Sequence, residues 1–319
     1  MHSSATRKLG LMTPIRFLSV LDFGAAELQE CLRLALEMKR ARLAGIRHVR
    51  PLDGRHVALL FDKPSLRTRA TFEIAVRELG GHVIEPPPEV ALGGREPIAD
   101  VARNLERWIF AAVIRTFAHA RIEAFAAAAP RLRVVNALTD EEHPCQALAD
   151  SLTMYERWGS LQGRTIAYVG DGNNVARSLA QAVIMLGATV RVASPPRYGF
   201  TADVRRGIEQ AARSGGRLDT LHDPVAAVQG ADAVYTDVWT SMGQEAEADA
   251  RRTVFAPYQV NAALMAHAAS GALFMHCLPA HRGEEVTGEV IDSEASVVFD
   301  QSENRLHTQK ALLAMLASS

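Results

Sequence analysis

Short runs of β-forming residues alternate with longer amphipathic helical patterns along almost the whole chain. The candidate strands are 56–61, 112–115, 132–137, 165–169, 189–193, 233–237, 273–276 and 297–299, and the helical patterns between them include 71–79 and 176–186. Strands separated by helices are typical of parallel sheets, because parallel strands need a long crossover connection. The alternation therefore predicts an α/β protein with parallel sheets that are flanked by helices.

The chain is long enough for more than one such sheet. Its 319 residues fit two domains of about 150 residues, each a parallel sheet flanked by helices. We predict domains at 1–150 and 151–319, with the glycine-bounded stretch 159–163 as the candidate boundary segment. A last helix at about 302–317 is expected to pack back on the first domain.

The composition limits the class of protein. A net charge of −1 argues against a protein that grips nucleic acid, which would show a basic excess. No apolar run approaches the roughly 18–20 residues of a membrane-spanning helix, and the N-terminus lacks the apolar core of a signal peptide. Three cysteines, an odd number, do not make a disulfide framework. These features predict a cytoplasmic protein that binds neither nucleic acid nor membrane.

Residues 65–69, Ser-Leu-Arg-Thr-Arg, follow an apolar strand and enter a helical pattern that ends at a double glycine. Ser65 stands where a helix N-cap belongs. A helix N-terminus is a natural anion site, because it offers free backbone N–H groups and a partial positive charge. The hydroxyls of Ser65 and Thr68 and the guanidinium of Arg67 would add further donors. The pattern favours a phosphate site; an ordinary cap with surface arginines is the alternative.

Two further segments place polar side chains where they could polarise a carbonyl group. Arg115 closes a predicted strand, and strand ends in α/β folds face the ligand crevice. His143-Pro144-Cys145-Gln146 opens a helical pattern, and a histidine near the positive end of a helix should resist protonation and donate a neutral hydrogen bond. The alternatives are an arginine at a strand edge and a histidine that only caps its helix.

A glycine turn at 170–175, Gly-Asp-Gly-Asn-Asn-Val, follows a predicted strand. It begins like a dinucleotide-binding fingerprint, but Val175 stands where the third glycine belongs and no acidic residue follows the next strand. The pattern therefore disfavours a nicotinamide dehydrogenase. Asn173 and Asn174 fit a small polar ligand, since each amide offers a donor and an acceptor; stabilisation of the turn is the alternative.

Three residues of the second half carry charge or a thiol at the ends of predicted elements. Asp237 ends a strand before a Trp-Thr-Ser-Met-Gly turn, where its carboxylate could bind an ammonium group or cap the next helix. Cys277 ends another strand among basic residues, where a thiol can be partly ionised; a buried, inert thiol is the alternative. Arg305 lies near the start of the last helix, where a solvated charge is the default. Together these segments predict anion sites in the first half and a zwitterion site in the second.

In this order, the segments resemble the signature motifs of the ornithine carbamoyltransferases, from about Phe17 to the C-terminus. Residues 65–69 and 143–146 resemble motifs of the wider carbamoyltransferase family and concern carbamoyl phosphate. The Asp-x-x-x-Ser-Met-Gly motif at 237–243 and the His-Cys-Leu-Pro motif at 276–279 resemble the ornithine-specific branch. Aspartate carbamoyltransferases would be expected to differ at both.

The resemblance implies transfer of the carbamoyl group of carbamoyl phosphate to the δ-amine of L-ornithine, giving L-citrulline and phosphate. It implies a homotrimer, or a multiple of it, with active sites at subunit boundaries, a carbamoyl phosphate-binding domain at 1–150 and an ornithine-binding domain at 151–319. It assigns carbamoyl phosphate to Ser65, Leu66, Arg67, Thr68, Arg115, His143, Gln146, Cys277, Leu278 and Arg305. It assigns ornithine to Asn174, Asp237, Ser241 and Met242.

The chemistry that the resemblance implies is acyl transfer without a covalent enzyme intermediate. An alkyl amine has a pKa of about 10.4 but must be neutral to attack, so we predict that Asp237 and Cys277 position it and help to manage its proton. Arg115 and His143, with Thr68, are predicted to stabilise the negative charge that develops on the carbamoyl oxygen. No metal or organic cofactor is expected, and no cluster of cysteine and histidine has the spacing of a zinc site.

Two positions depart from the family pattern. Leu66 replaces a usual threonine, so only the backbone N–H can serve there, and leucine at this place is a trait of the acylornithine branch. Ala91 replaces a glutamine that touches carbamoyl phosphate in the family. The alternatives are therefore a carbamoyltransferase for putrescine, acetylornithine, succinylornithine or aspartate, and a non-catalytic relative. Asp237 and the Ser-Met-Gly turn favour a free α-amino group, and hence ornithine.

Overall fold

The computed structural model describes residues 15–46, 49–92, 94–241, 243 and 245–318. These residues form two five-stranded sheets, in which the paired strands run parallel. The predicted α/β class, with a parallel sheet and flanking helices in each half, is therefore confirmed. None of the helices in the described ranges has an apolar stretch of the length that a bilayer crossing requires.

The first sheet has a switch in its strand order. Its strands are β1 (Arg16–Phe17), β2 (His56–Phe61), β3 (His82–Ile84), β4 (Ala111–Arg115) and β5 (Arg133–Leu138). Its helices are α1 (Ala25–Leu43), α2 (Leu66–Glu78), α3 (Pro88–Ala91), α4 (Ile98–Trp108), α5 (His119–Ala128) and α6 (Pro144–Trp158). The order β1-β5-β4-β2-β3 sends the chain from β2 outward to β3 and then back to β4. Such a switch point opens a crevice at the carboxyl ends of β2 and β4.

The second sheet repeats this arrangement. Its strands are β6 (Thr165–Val169), β7 (Thr189–Ala193), β8 (Arg217–Leu221), β9 (Ala233–Thr236) and β10 (Leu273–His276). Its helices are α7 (Asn174–Met185), α8 (Ala202–Gln210), α9 (Pro224–Val228), α10 (Ala248–Phe255), α11 (Ala262–Met265) and α12 (Gly288–Ile291), and α13 (Val298–Ala317) ends the chain. Short 3-10 segments lie at Val20–Asp22, Glu245–Glu247 and Ala256–Tyr258. The order β10-β9-β6-β7-β8 places the second switch point between β6 and β9.

A continuous core joins the two halves. Buried side chains pack from Phe17 and Leu59 in the first sheet, through Leu152 of α6 and Leu179 of α7, to Tyr235 in the second sheet. The central strands are buried on both faces, as expected for parallel strands that helices cover. This core holds the carboxyl ends of both sheets around one cleft.

The last helix returns to the first half, as predicted, and packs against α1, α2 and α6. The predicted strand at 297–299 is wrong, however, because these residues lie at the start of α13. The N–H of Val297 does bond the Phe274 carbonyl at 3.0 Å, but the N–H of Gln301 bonds the Val297 carbonyl at 2.9 Å. The extended chain therefore makes only an isolated bridge at Ser296 before it turns into the helix.

Three strands were not predicted from the sequence, and all three lie at sheet edges: β1, β3 and β8. β1 has two residues and β3 has three. β8 carries polar residues between its two leucines, and none of its five residues is fully buried. Edge strands bury less apolar surface, so their hydrophobic pattern is weak.

Candidate active site

One cleft of about 920 Å³ lies at the carboxyl ends of both sheets. Loops after β2, β4 and β5 form its first wall, and loops after β6, β9 and β10 form its second wall. The structure brings the predicted site residues together at this cleft: Ser65, Leu66, Arg67, Thr68, Arg115, His143, Gln146, Asn174, Asp237, Ser241, Cys277, Leu278 and Arg305. Met242 lies outside the described residues. The two switch points of the fold therefore face the same space.

The N-terminus of α2 opens into the cleft. Ser65 is its N-cap, and the Ser65 hydroxyl accepts a hydrogen bond from the backbone N–H of Thr68 at 3.2 Å. The capping hydroxyl satisfies one of the first N–H groups, which have no partner within a helix. The Leu66 side chain is 80% exposed, so it does not contribute to the core. The local geometry fits the anion site that the sequence predicts.

Three guanidinium groups, those of Arg67, Arg115 and Arg305, line the first wall. Arg115 and Arg305 are buried, at 6% and 3% exposure. Burial, together with the nearby charges of Arg305 and Arg67, lowers the pKa of Arg115 to about 10. Within the described ranges no carboxylate forms an ion pair with any of the three. This wall therefore has an excess of positive charge that a polyanion would compensate.

Arg305 reaches the cleft from α13, far away in the sequence. Its Nη1 donates to Gln146 Oε1 at 3.0 Å, and its Nη2 donates to Thr68 Oγ1 at 2.5 Å. Burial lowers the pKa of Arg305, and the charge of Arg67 acts in the same direction. The default interpretation of Arg305 as a solvated surface charge is wrong, because the last helix packs its first turns against α2 and α6.

His143 is the N-cap of α6 and is buried. Its backbone N–H donates to Ser178 Oγ at 2.9 Å, which fixes the loop before the helix. Burial lowers its pKa well below the ordinary value, and the charges of Arg305 and Arg115 lower it further. The imidazole is therefore neutral and has one N–H to donate, as the sequence predicts, although the neighbouring guanidinium groups are a cause that the sequence did not identify.

A buried carboxyl group lies directly behind Gln146. Oδ1 of Asp150 accepts from Gln146 Nε2 at 2.8 Å and from Gln301 Nε2 at 2.6 Å. Oε1 of Gln301 in turn accepts from the backbone N–H of His276 at 3.0 Å. Asp150 therefore links a side chain of the first wall to the end of β10 in the second.

Asp150 should give the fold a specific pH dependence. Burial raises its pKa to about 7, and hydrogen bonds from Gln146, Gln301 and Tyr235 offset only part of this effect. Because an unfolded aspartate has a pKa of about 3.9, the folded state binds the extra proton, and its contribution to stability is lost as pH rises from about 4 to 7. Asp150→Asn removes this slope, so the variant should gain stability relative to the wild type, by about 2 kcal/mol between pH 5 and 7. Calorimetric melting of both proteins across this range tests it, and a constant difference would contradict it.

Asp237 and Cys277 form a pair on the second wall. They follow the neighbouring strands β9 and β10, and the Cys277 thiol donates to Asp237 Oδ1 at 3.0 Å. Burial raises the pKa of the Cys277 thiol well above its ordinary value, and the Asp237 charge raises it further. Of the two interpretations of Cys277, this environment favours the inert thiol over the partly ionised one, because the thiol faces a carboxylate rather than the basic residues beside it in the sequence. The pair presents a carboxylate with a neutral thiol.

His276, the last residue of β10, stabilises the turn that follows this strand. Nδ1 of His276 accepts from the backbone N–H of Leu278 at 2.8 Å, and Nε2 faces Glu285 Oε1 at 3.2 Å. His276 lies with Asp237 and Cys277 in a group whose ligand atoms are within 4.8 Å of one another. Both of its ring nitrogens are engaged, so its contacts hold the turn rather than offer a free metal ligand.

Sequence reasoning missed Arg251, which shapes the second wall. Arg251 is 3% exposed, donates to the Trp239 carbonyl and to Asp171, and lies over the rings of Tyr198 and Phe255. It thus ties the turn after β9 to the glycine turn after β6. No local motif marks it, because its partners are distant in the sequence.

Lys63 is a further missed residue of the first wall. It lines the cleft and is 4% exposed. Its ammonium group pairs with Asp140 and lies 4.1 Å from the centre of the Phe117 ring. Lys63 precedes the 65–69 motif by two positions. This closeness to the motif is the one sequence feature that could have predicted a place for Lys63 in the cleft.

Comparison with known proteins identifies the family. The family model described as "Aspartate/ornithine carbamoyltransferase, carbamoyl-P binding domain" matches residues 16–156, and the corresponding "Asp/Orn binding domain" model matches residues 162–316. The chain belongs to the aspartate/ornithine carbamoyltransferase family. Similar members of this family include the ornithine carbamoyltransferase of Symbiobacterium thermophilum, which is 51% identical over 94% of this chain and 97% of its own length. The anabolic ornithine carbamoyltransferase of Pyrococcus furiosus is 50% identical over 92% of this chain and 94% of its own length.

Solved structures of the aspartate/ornithine carbamoyltransferase family share the fold. The ornithine carbamoyltransferase of Pyrococcus furiosus superposes with a TM-score of 0.92 at 49% identity, covering 95% of this chain and 97% of its own. The enzyme of Thermus thermophilus gives a TM-score of 0.85 at 44% identity, covering 95% of this chain and 99% of its own. The family resemblance of the sequence motifs is therefore confirmed.

Proposed function

We propose that the chain transfers the carbamoyl group of carbamoyl phosphate to the δ-amine of L-ornithine, giving L-citrulline and phosphate. One observation carries the proposal: Arg67, Arg115 and Arg305 face the Asp237–Cys277 pair across a single cleft. The cationic wall suits a phosphorylated substrate, and the carboxylate suits an ammonium group. The relatives named ornithine carbamoyltransferase, at about half identity, support the same reaction.

The first wall would bind carbamoyl phosphate. The residues that we propose for it are Ser65, Leu66, Arg67, Thr68, Arg115, His143, Gln146, Cys277, Leu278 and Arg305. Arg67 and the start of α2 would hold the phosphate that leaves, with Leu66 acting through its backbone N–H. Arg115 and the neutral His143 would donate to the carbamoyl oxygen, where negative charge develops during the reaction.

The second wall would bind ornithine through Asn174, Asp237, Ser241 and Met242. The lone pair of the neutral δ-amine forms the new N–C bond, and the C–O bond breaks with its electron pair leaving on phosphate. The proton that the nitrogen gives up is taken by the leaving phosphate. Since Cys277 is a protonated thiol that donates to Asp237, it orients the carboxylate rather than acting as a base. Holding the two substrates in line would supply much of the rate.

We also propose the organisation of the molecule. The chain would divide into a carbamoyl phosphate-binding domain at 1–150 and an ornithine-binding domain at 151–319. The family models, which end at residue 156 and begin at residue 162, support two domains with a boundary near this position. A homotrimer, or a multiple of it, in the cytoplasm is the assembly that the family resemblance favours. Sedimentation of the purified protein at the mass of a single 34.6 kDa chain would contradict it.

A panel of amines tests the reaction. Purified protein is mixed with carbamoyl phosphate and, separately, with ornithine, putrescine, acetylornithine, succinylornithine and aspartate, while phosphate release and carbamoylated product are measured. We expect citrulline from ornithine alone, because Asp237 and the turn with Ser241 favour a free α-amino group. Product from an acylated ornithine would leave the role of the anion wall intact. It would show that Leu66, rather than Asp237, decides which amine is accepted. Well-folded protein that turns over none of the amines would favour a binding protein.

A further inference from the structure

The glycine turn after β6 holds two adjacent asparagines with different contacts. Asn174 donates from Nδ2 to the Thr139 carbonyl at 2.6 Å. Asn173 donates from Nδ2 to Asp237 Oδ2 at 2.8 Å. Building on the proposed function, we infer that Asn173 is a positioning residue: it fixes the orientation in which the Asp237 carboxylate meets the amine substrate.

The Asp237 carboxylate is held at both oxygens. Asn173 donates to Oδ2, and the Cys277 thiol donates to Oδ1 at 3.0 Å. One donor on each oxygen fixes the plane of a carboxylate at the end of a strand, where the side chain would otherwise rotate. Hydrogen bonds to an ionised acceptor are about twice as strong as neutral ones. Loss of the amide donor therefore removes the donor that the described contacts give to Oδ2, while the thiol still holds Oδ1.

Asn173 is itself held in one orientation. Its Oδ1 accepts from the backbone N–H groups of Val175 and Ala176, both at 3.0 Å, as the N-cap of α7. The Tyr168 hydroxyl lies 3.3 Å from the same oxygen. A flipped amide would point its N–H₂ group at two other N–H donors, so only the observed orientation satisfies the network. The helix cap thus directs the amide nitrogen at Asp237.

Asn173→Ser separates the cap from the contact with Asp237. Serine is among the best N-cap residues, but its hydroxyl is too short to cap the helix and reach the carboxylate together. We expect kcat/KM for ornithine to fall about ten- to a hundredfold, as for the loss of a hydrogen bond to a charged group. The KM for carbamoyl phosphate should change less than about twofold, because the anion wall is untouched. Asn261→Ser, the same change at the N-cap of α11 outside the cleft, is the matched control and should keep full activity.

Asn173→Asp adds a second measurement, the pH dependence of activity, which a purely structural role of Asn173 would not change. The cap is kept, but a carboxyl oxygen replaces the amide donor and faces Asp237. At high pH the two carboxylates repel, whereas protonation of the pair at lower pH restores an O–H donor. The activity of this variant relative to the wild type should therefore rise as pH falls from about 9 to 6.

The outcomes are distinct. An active wild type whose ornithine kcat/KM is unchanged by Asn173→Ser overturns the inference and leaves the proposed function standing. Equal losses for both substrates with a lower melting temperature, or a flat activity ratio for Asn173→Asp, show a structural role and overturn it as well. A wild type that makes no citrulline overturns the proposed function, and the inference falls with it.

Discussion

Arg67→Ala is expected to lower kcat/KM for carbamoyl phosphate about a hundred- to a thousandfold, with no loss of melting temperature. Arg67 lies at the start of α2, at the edge of the cleft, and no described carboxylate pairs with it. Its guanidinium would hold the phosphate group as charge builds on it, and one such donor is commonly worth two to three orders of magnitude in rate. Because its side chain has no partner among the described residues, its removal leaves none of their buried groups unpaired.

The same helix offers a matched control. The Arg77 side chain is 70% exposed and pairs with Glu73 one turn away, so Arg77→Ala removes an arginine from α2 without touching the cleft. Exposed pairs of this kind contribute about 0–1 kcal/mol, and the activity of this variant should stay within about twofold of the wild type. Steady-state kinetics with carbamoyl phosphate as the varied substrate compare the two variants. Retained turnover in Arg67→Ala would contradict the phosphate role of the first wall.

The anion wall could be predicted because its signals are local. The N-cap serine and the arginine of α2 lie within one turn of helix, and Arg115 ends a strand whose buried pattern is plain in the sequence. The arrangement of strand ends then follows from the rules of α/β topology. A site whose residues lie within a few positions of one another can therefore be predicted from the sequence.

Contacts between distant segments could not be predicted in this way. Asp237 and Cys277 are forty positions apart in the sequence, and the thiol's environment is set by this partner rather than by its basic neighbours. The choice between Asn173 and Asn174 as the partner of Asp237 depends on which amide caps α7. Arg251 shows no motif at all, since its role arises from packing between two loops.

Arg115→Met is expected to abolish turnover and to make the folded protein more stable. Arg115 is 6% exposed, and its Nε is buried with no hydrogen-bond partner among the described residues. Its pKa of about 10, lowered by burial and by Arg305 and Arg67, leaves it charged at neutral pH beside two like charges. A buried charge without a counter-charge still costs several kcal/mol after the protein has relaxed around it. Methionine fills a similar volume without that cost, so the melting temperature should rise by several degrees, equivalent to about 1–3 kcal/mol.

The contrast with Arg121 makes this prediction specific. Arg121 pairs with Asp62 and donates to the Leu92 carbonyl, so Arg121→Met breaks partnered contacts and should lower the melting temperature. Added phosphate should stabilise the wild type more than the Arg115→Met variant, because Arg115 adds positive charge to the anion wall and a ligand stabilises only the state that binds it. Scanning calorimetry with and without phosphate, alongside the citrulline assay, measures both effects. A lower melting temperature for Arg115→Met would mean that the fold itself uses this charge, whereas a higher one with lost turnover identifies a charge that destabilises the empty cleft and that the anionic substrate neutralises.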